Sequence, residues 1–324
     1  MYPLKFEPLL KQTLWGGNKI AAFKRLDEAP DNVGESWEVS AVEDSQSVVA
    51  NGPDKGLTLT EMVRKYSSEL VGEANYARFG TKFPLLIKFI DARLDLSIQV
   101  HPGDELARKR HNSMGKNEMW YVIAADNGAR LISGFAEHIT PKEYKERVYN
   151  GTFAEVLQTC TIAPGDVFYV PAGRVHGIGA GSFVAEIQQT SDITYRIFDY
   201  NRRDKEGKLR ELHGSMAVEA IHFEDVQDDF RTEYEAVPNE PVSLVESPYF
   251  TTSLYDMTED ISCDYSELDS FVVFICVEGA CNLRDDAGNI TSLRSGETVL
   301  FPATTQEVTI TPEGGEVKLL ETYV

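Results

Sequence analysis

The stretch Gly165-Asp-Val-Phe-Tyr-Val-Pro171-Ala-Gly173-Arg-Val-His176 constrains this chain more than any other. A glycine turn opens it, a short buried strand follows, a second turn closes the strand, and one histidine stands at the end. That layout suits a metal site at the mouth of a small β-barrel. Upstream, Ser97-Ile-Gln99-Val-His101-Pro102 and Lys116-Asn-Glu118-Met-Trp120 add a second histidine, a glutamine and a glutamate. The three stretches together supply a ligand set for one divalent cation.

The chain of 324 residues is long enough for one large domain or two ordinary ones, and its 42% apolar content supports a real core. A net charge of -21 argues against a nucleic-acid partner and against an anionic membrane surface. An anionic substrate would need a local cluster of Lys and Arg that overrides this field. The opening Met1-Tyr-Pro-Leu-Lys-Phe-Glu-Pro8 lacks the apolar core of a signal peptide. No window approaches the roughly 18 apolar residues of a membrane span. Cys160, Cys263, Cys276 and Cys281 lack paired metal spacing. Cys276 and Cys281 approach each other across a turn in one reading; buried free thiols are the favoured one, which fits a reduced cytoplasmic setting.

Strand-like runs dominate. Gly34 to Ser40 reads as a half-buried strand with Ser36, Glu38 and Ser40 on one face and Trp37 and Val39 on the other. Thr58-Leu-Thr-Glu61 is a capping box opening a helix that runs to about Leu70. Phe83 to Val100 reads as two buried strands broken near Asp91 to Leu94. Thr140-Pro141-Lys-Glu143 starts another helix, and Leu212 to Phe223 a third. Glu224 to Pro241, acidic and poor in large apolar groups, reads as a linker or crossing segment, and Phe250 to Val324 as almost all strand. A weak repeat aligns Gly165-x5-Pro171 with Gly296-x5-Pro302 and sets Glu307 where His176 stands. Two related β-barrels follow, the first over residues 1–235 with a metal and inserted helices, the second over 236–324 without a metal.

Gln99 and His101 are two apart on a strand and so share a face. Pro102, with no amide to donate, suits that strand's end. Glu118 opens the next strand and His176 comes from a third. Two His and one Glu bind zinc and leave a position open for a substrate oxygen or water, with Gln99 as an added neutral oxygen. Iron accepts the same set. A lone strand histidine is more often structural; the joint occurrence in one frame is what points to a metal. His111 reads as solvated, and His138, His213 and His222 as structural or surface. The tract from Glu186 to Arg196 reads as an active-site wall, with Glu186 moving a proton and Arg196 facing an oxyanion, or as a strand with a solvated face. Arg202 and Arg203 either serve a phosphate or pair with Asp199 and Asp204.

Trp15-Gly16-Gly17, Gly34-Glu-Ser-Trp37-Glu, Gln99-Val-His101-Pro102, Lys116-Asn-Glu118-Met-Trp120-Tyr, Pro171-Ala-Gly-x2-His176 and Thr194-Tyr-Arg196-Ile-x-Asp199 resemble, in order, the type I mannose-6-phosphate isomerases in their short bacterial form. The resemblance runs from the N-terminus to about residue 215. It implies a mainly β fold of two cupin-type jelly-roll barrels with a few inserted helices. It implies one zinc ion held by His101, Glu118, His176 and Gln99, and interconversion of D-mannose 6-phosphate and D-fructose 6-phosphate through an enediolate. By the same resemblance Arg196, Lys116 and Glu186 are catalytic, and Ser97 and Arg202 lie on the phosphate side. Asn117 and Ile178 depart from the longer members, which carry a proline and a tyrosine there.

Two other readings stand beside this one. A cupin metalloenzyme acting on another sugar phosphate would use the same ligands, and Lys116 with Arg196 would equally serve its anionic substrate. A non-catalytic carbohydrate-binding or sensor protein would keep the fold and a relic metal site, against which the intact ligands, Lys116 and Arg196 argue.

Overall fold

The structure is a computed structural model and describes residues 1–204, 206–227 and 229–324. Its framework is two antiparallel β-sandwiches. In the first, a six-stranded sheet runs in the order Val167–Val170, Glu118–Ala125, Ser182–Gln189, Leu85–Asp91, Val33–Val39, Leu9–Gly17. It faces a five-stranded sheet ordered Leu157–Thr161, Arg130–Phe135, His176–Ile178, Ile98–Val100, Tyr195–Phe198. In the second, Thr298–Phe301, Val272–Glu278, Val317–Tyr323, Thr251–Met257 and Pro241–Glu246 form one sheet. Ile290–Arg294, Ala280–Asp285, Glu307–Pro312 and Ile261–Asp264 form the other. The second sandwich repeats the order of the first, which has one further edge strand on each sheet, Leu9–Gly17 and Tyr195–Phe198. The sheets of each pair do not hydrogen-bond to each other, so these are open sandwiches rather than closed barrels.

Four apolar layers result. One fills the first sandwich around Trp120, Val122, Phe168 and Val184. One fills the second around Phe274, Cys276, Val299 and Leu319. The largest lies between the sandwiches and joins Leu85, Ile87 and Phe89 to Phe271, Val273, Ile275 and Leu320. A fourth seats the helices Pro141–Asn150 and Gly214–Ala220 on the outer sheet. The two central sheets are therefore covered on both faces. All seven residues of Leu85–Asp91 are buried, alternating between the two layers that flank them.

That second cover changes several sequence expectations. Gly34 to Ser40 is buried on both faces, not half-buried: Ser36, Glu38 and Ser40 are inside too, and Glu38 pairs with Lys24 at 2.8 Å. The helix opened by Thr58 has its capping box but ends at Tyr66, because Ser67 turns to a φ of 50° before Ser68–Val71 resumes. The third helix is shorter than expected, Gly214–Ala220. Apart from Asp228, which lies outside the described residues, Glu224 to Pro241 is a crossing segment: Val226 bridges to Phe135, Arg231 to Phe168, and Phe230 packs in the first sandwich's core. All four cysteines are free and buried. Among the described residues, no helix is long and apolar enough to cross a membrane.

Candidate metal centre and active-site cleft

Three strands of the first sandwich bring the predicted ligands together. His101 follows Ile98–Val100, Glu118 opens Glu118–Ala125, and His176 opens His176–Ile178. His176 and Gln99 are direct cross-strand partners. The turn before His176 depends on Gly173, whose φ is 91° and where a Cβ would lie 2.6 Å from the His222 ring. His101, Glu118 and His176 are at most 1% exposed, and a ligand atom from each lies within 4.8 Å of the others.

The tautomers follow from the backbone. His101 Nδ1 donates to the Ile193 carbonyl at 2.8 Å and His176 Nδ1 to the Arg174 carbonyl at 2.9 Å. A neutral imidazole has one N–H, so both Nε2 atoms present lone pairs, and they meet at 3.1 Å. Glu118 Oε2 is 3.6 Å from His101 Nε2, and Glu118 Oε1 is 3.3 Å from His176 Nε2. Glu118 Oε1 is buried without a hydrogen-bond donor among the described residues. Electron pairs converging like this repel each other unless something positive sits among them. The Lys116 ammonium partly answers, contacting His101 Nε2 at 3.1 Å and ion-pairing with Glu118. Gln99 adds its amide 3.3 Å from His176 Nε2, and Ser97 Oγ donates to Gln99 Oε1 at 3.1 Å. The donor set fits a divalent metal with nitrogen and oxygen preferences.

Burial sets the protonation states. It holds His101 well below the usual histidine range, helped by the Lys116 charge, and brings His176 down to about 3. Both are thus neutral, as metal ligands must be. Burial pushes Glu118 up to about 7 against the pull of Lys116. Glu186 goes the other way: burial opposes its charge, but Lys116 and Lys88 outweigh burial and bring it to about 2. Glu186 Oε1 is 3.0 Å from Lys88 and 3.9 Å from Lys116, and Trp120 Nε1 donates to Oε2 at 3.0 Å.

A cleft of about 190 Å³ opens over this floor, lined by Ser97, Gln99, Lys116, His176, Glu186 and Arg196 among others. Arg196 pairs with Gln99 across the sheet. Its NH1 donates to the Glu211 carbonyl at 3.0 Å, while Nε is buried with no hydrogen-bond acceptor among the described residues. Burial and the neighbouring Arg210 charge lower its pKa. Arg202 does not reach the cleft: its guanidinium binds Asp199 and the Asp95 carbonyl. Of the two sequence alternatives for Arg202, pairing with Asp199 is the one observed. Arg210 lines the cleft in its stead while also bonding Asp199. Arg210, Lys88 and Glu35 also line the cleft and carry no motif in the sequence that marks them as site residues. Arg210 is separated from Arg196 by a loop whose path the sequence does not reveal; Lys88 sits in an otherwise apolar strand, which was its available signal. His111 is exposed, as expected, and also bonds to the Tyr195 hydroxyl at 2.8 Å, and His213 accepts from the Arg196 amide at 3.1 Å.

A family model for the type I phosphomannose isomerase catalytic domain matches residues 4–127, and one for the mannose-6-phosphate isomerase cupin domain matches residues 241–324. Mannose-6-phosphate isomerase ManA of Bacillus subtilis is 37% identical over 279 residues, 86% of either chain. The Streptococcus mutans mannose-6-phosphate isomerase is 32% identical over 302 residues, 93% of either chain. A crystal structure of the Bacillus subtilis enzyme superposes with a TM-score of 0.89 at 30% identity over the full length of both chains. A putative mannosephosphate isomerase from Archaeoglobus fulgidus shares the fold, with a TM-score of 0.81 at 23% identity. The mainly β, cupin-type architecture and the sequence relatives agree, and the chain belongs to the type I mannose-6-phosphate isomerase family.

Proposed function

We propose that this chain interconverts D-mannose 6-phosphate and D-fructose 6-phosphate, with one zinc ion held by His101, Glu118, His176 and Gln99. The observation that carries the reading is the floor of the cleft. Two neutral imidazoles and a buried carboxylate converge there, beside a second carboxylate and a lysine. Bound zinc would supply Lewis acidity toward the negative charge that develops on the sugar's O1 and O2. Glu186, ionised and held between Lys88 and Lys116, takes the proton from C2 of the aldose and returns it to C1, while the O2 hydroxyl proton passes to O1, to give the ketose. Lys116, whose ammonium lies between Glu118 and Glu186, donates to the sugar oxygens. Arg196 directs its guanidinium at the enediolate charge. Arg210 and Ser97 are the phosphate-side groups. Trp15, Trp37 and Trp120 wall the cleft with apolar surface and limit water. The free buried thiols favour a cytoplasmic setting.

The test is a coupled isomerase assay on purified protein, with metal content measured on the same sample. Turnover of mannose 6-phosphate that tracks zinc content is expected. A folded, zinc-replete protein that does not turn over this substrate overturns the reading, and turnover of another sugar phosphate alone would replace it.

A further inference from the structure

The second sandwich repeats the first closely enough to be compared residue by residue. Its turn Gly296-x5-Pro302 matches Gly165-x5-Pro171, which equates Phe301 with Val170. Val170 pairs with Glu118 and Phe301 with Val272, so Val272 stands in the place of Glu118. Trp120 pairs with Glu186 and Phe274 with Glu321, so Glu321 stands in the place of Glu186. Glu186 pairs with Lys88 and Glu321 with Ser253. On the facing sheet, the inward pair Gln99 and His176 corresponds to the buried pair Cys263 and Val308, and Tyr265, two residues on, takes the place of His101. Glu307, expected to replace His176, is instead exposed and accepts a hydrogen bond from Ser262 at 2.9 Å.

The counterpart of the metal floor is thus valine, valine and tyrosine, while the counterpart of Glu186 remains a glutamate. A cavity of about 420 Å³ opens at this mouth too, lined by Ser253, Tyr255, Cys263, Tyr265, Glu321 and Tyr323 among others. Glu321 is 5% exposed. Its Oε1 accepts hydrogen bonds from Tyr265 and, at 3.2 Å, from Tyr255. Its Oε2 takes no hydrogen bond from any described residue. Cys263 Sγ donates to the Tyr255 hydroxyl at 3.4 Å and orients it. Unlike the first cleft, this one is lined by no lysine, arginine or histidine among the described residues.

We propose that the mouth of the second sandwich is a binding site for an uncharged hexopyranose, free or at the end of an oligosaccharide. Vicinal hydroxyls are the donors that a half-used, buried carboxylate accepts best, and tyrosine rings offer apolar faces with polar rims to a pyranose. A phosphorylated sugar would meet Glu321 and Asp264 with no cation to offset them, so this mouth selects against the ligand that the first cleft is built to take. A metal finds too few donors, since Glu321 Oε1 and both tyrosine hydroxyls are already engaged with each other.

Hydrogen-exchange mass spectrometry on the full chain tests the site by location. D-mannose and a mannose disaccharide are added separately, up to roughly tenfold above a millimolar Kd. Slowed exchange in Ile261–Tyr265 and Val317–Tyr323 is expected. Protection by the free sugar identifies a monosaccharide site, and protection by the disaccharide alone identifies an oligosaccharide end. Glu321→Gln should raise Kd about tenfold or more, and Ser253→Phe, which fills the cavity, should abolish protection. Both should retain wild-type melting and isomerase turnover. No protection in these two segments with either sugar overturns the proposal. So does protection that survives both substitutions, equal protection by mannose 6-phosphate, or protection by calcium in place of sugar.

Discussion

Arg196 enters the cleft from Tyr195–Phe198 with Nε buried and unbonded among the described residues, whereas Arg210 arrives from a later loop and already shares Asp199 with Arg202. The two should therefore separate kinetically. Arg196→Ala should lower kcat by roughly 10²–10³ with a smaller change in KM, as for loss of an oxyanion partner. Arg196→Lys should recover little, because it keeps the charge and loses the planar fork. Arg210→Ala should raise KM with kcat nearly held. Steady-state kinetics of the three variants check this, and a raised KM with normal kcat in Arg196→Ala would move that residue to the phosphate. His176 makes a different prediction, for the metal-stripped protein. An unfolded histidine takes up its proton near 6.5, the folded one only near 3. Between those values the unfolded chain holds more protons, so the stability contributed by the neutral imidazole is complete above 6.5 and is lost as pH falls toward 3. Urea midpoints of the stripped protein should fall across that window, and His176→Gln should flatten the fall.

At the scale of elements, two helices are written plainly in the chain. Thr58 and Thr140 each accept from the amide three residues on, and Glu61 and Glu143 reach back to the cap amide. Thr58→Ala or Thr140→Ala should each cost about 1 kcal/mol, with turnover unchanged; denaturant titration reads the first and the isomerase assay the second. A loss of activity in either would mean that the helix positions the cleft. Where the first helix stops was not legible. Leu59, Met62 and Val63 must lie in the layer between the sandwiches, and so must Leu70 and Val71. The break at Ser67 lets both groups reach it, a demand set by the partner sheet rather than by local propensity. The strand Val33–Val39 makes the same point. Its alternation of Ser and Glu with apolar residues reads as a solvated face, and the Lys24 ammonium and Ser36 hydroxyl on Glu38 make that face tolerable inside.

At the scale of the molecule, the two sandwiches share their largest apolar layer, where the Phe83 and Phe271 rings meet at a tilt with centroids 4.4 Å apart. A chain ending at residue 235 would expose that layer and is expected to aggregate; a monomeric, active fragment would show that the halves fold separately. Phe271→Ala should cost about 3–5 kcal/mol, measured by denaturant titration. Chelation should abolish turnover and leave the far-UV spectrum in place, because the layers do not depend on the metal. Elemental analysis should find one tightly held metal per chain. The sequence by itself determined the candidate triplet of His101, Glu118 and His176, the turn that delivers His176, the helix starts and the existence of a second, related β unit. Each depends on spacing along one strand or turn, which the chain carries locally. Only the tertiary structure decided that Arg210 and not Arg202 faces the cleft, that Lys88 braces Glu186, and that Tyr265 and Glu321 occupy the places of His101 and Glu186. Those outcomes depend on register between strands far apart in the chain, and register is fixed by which faces the packed layers bury.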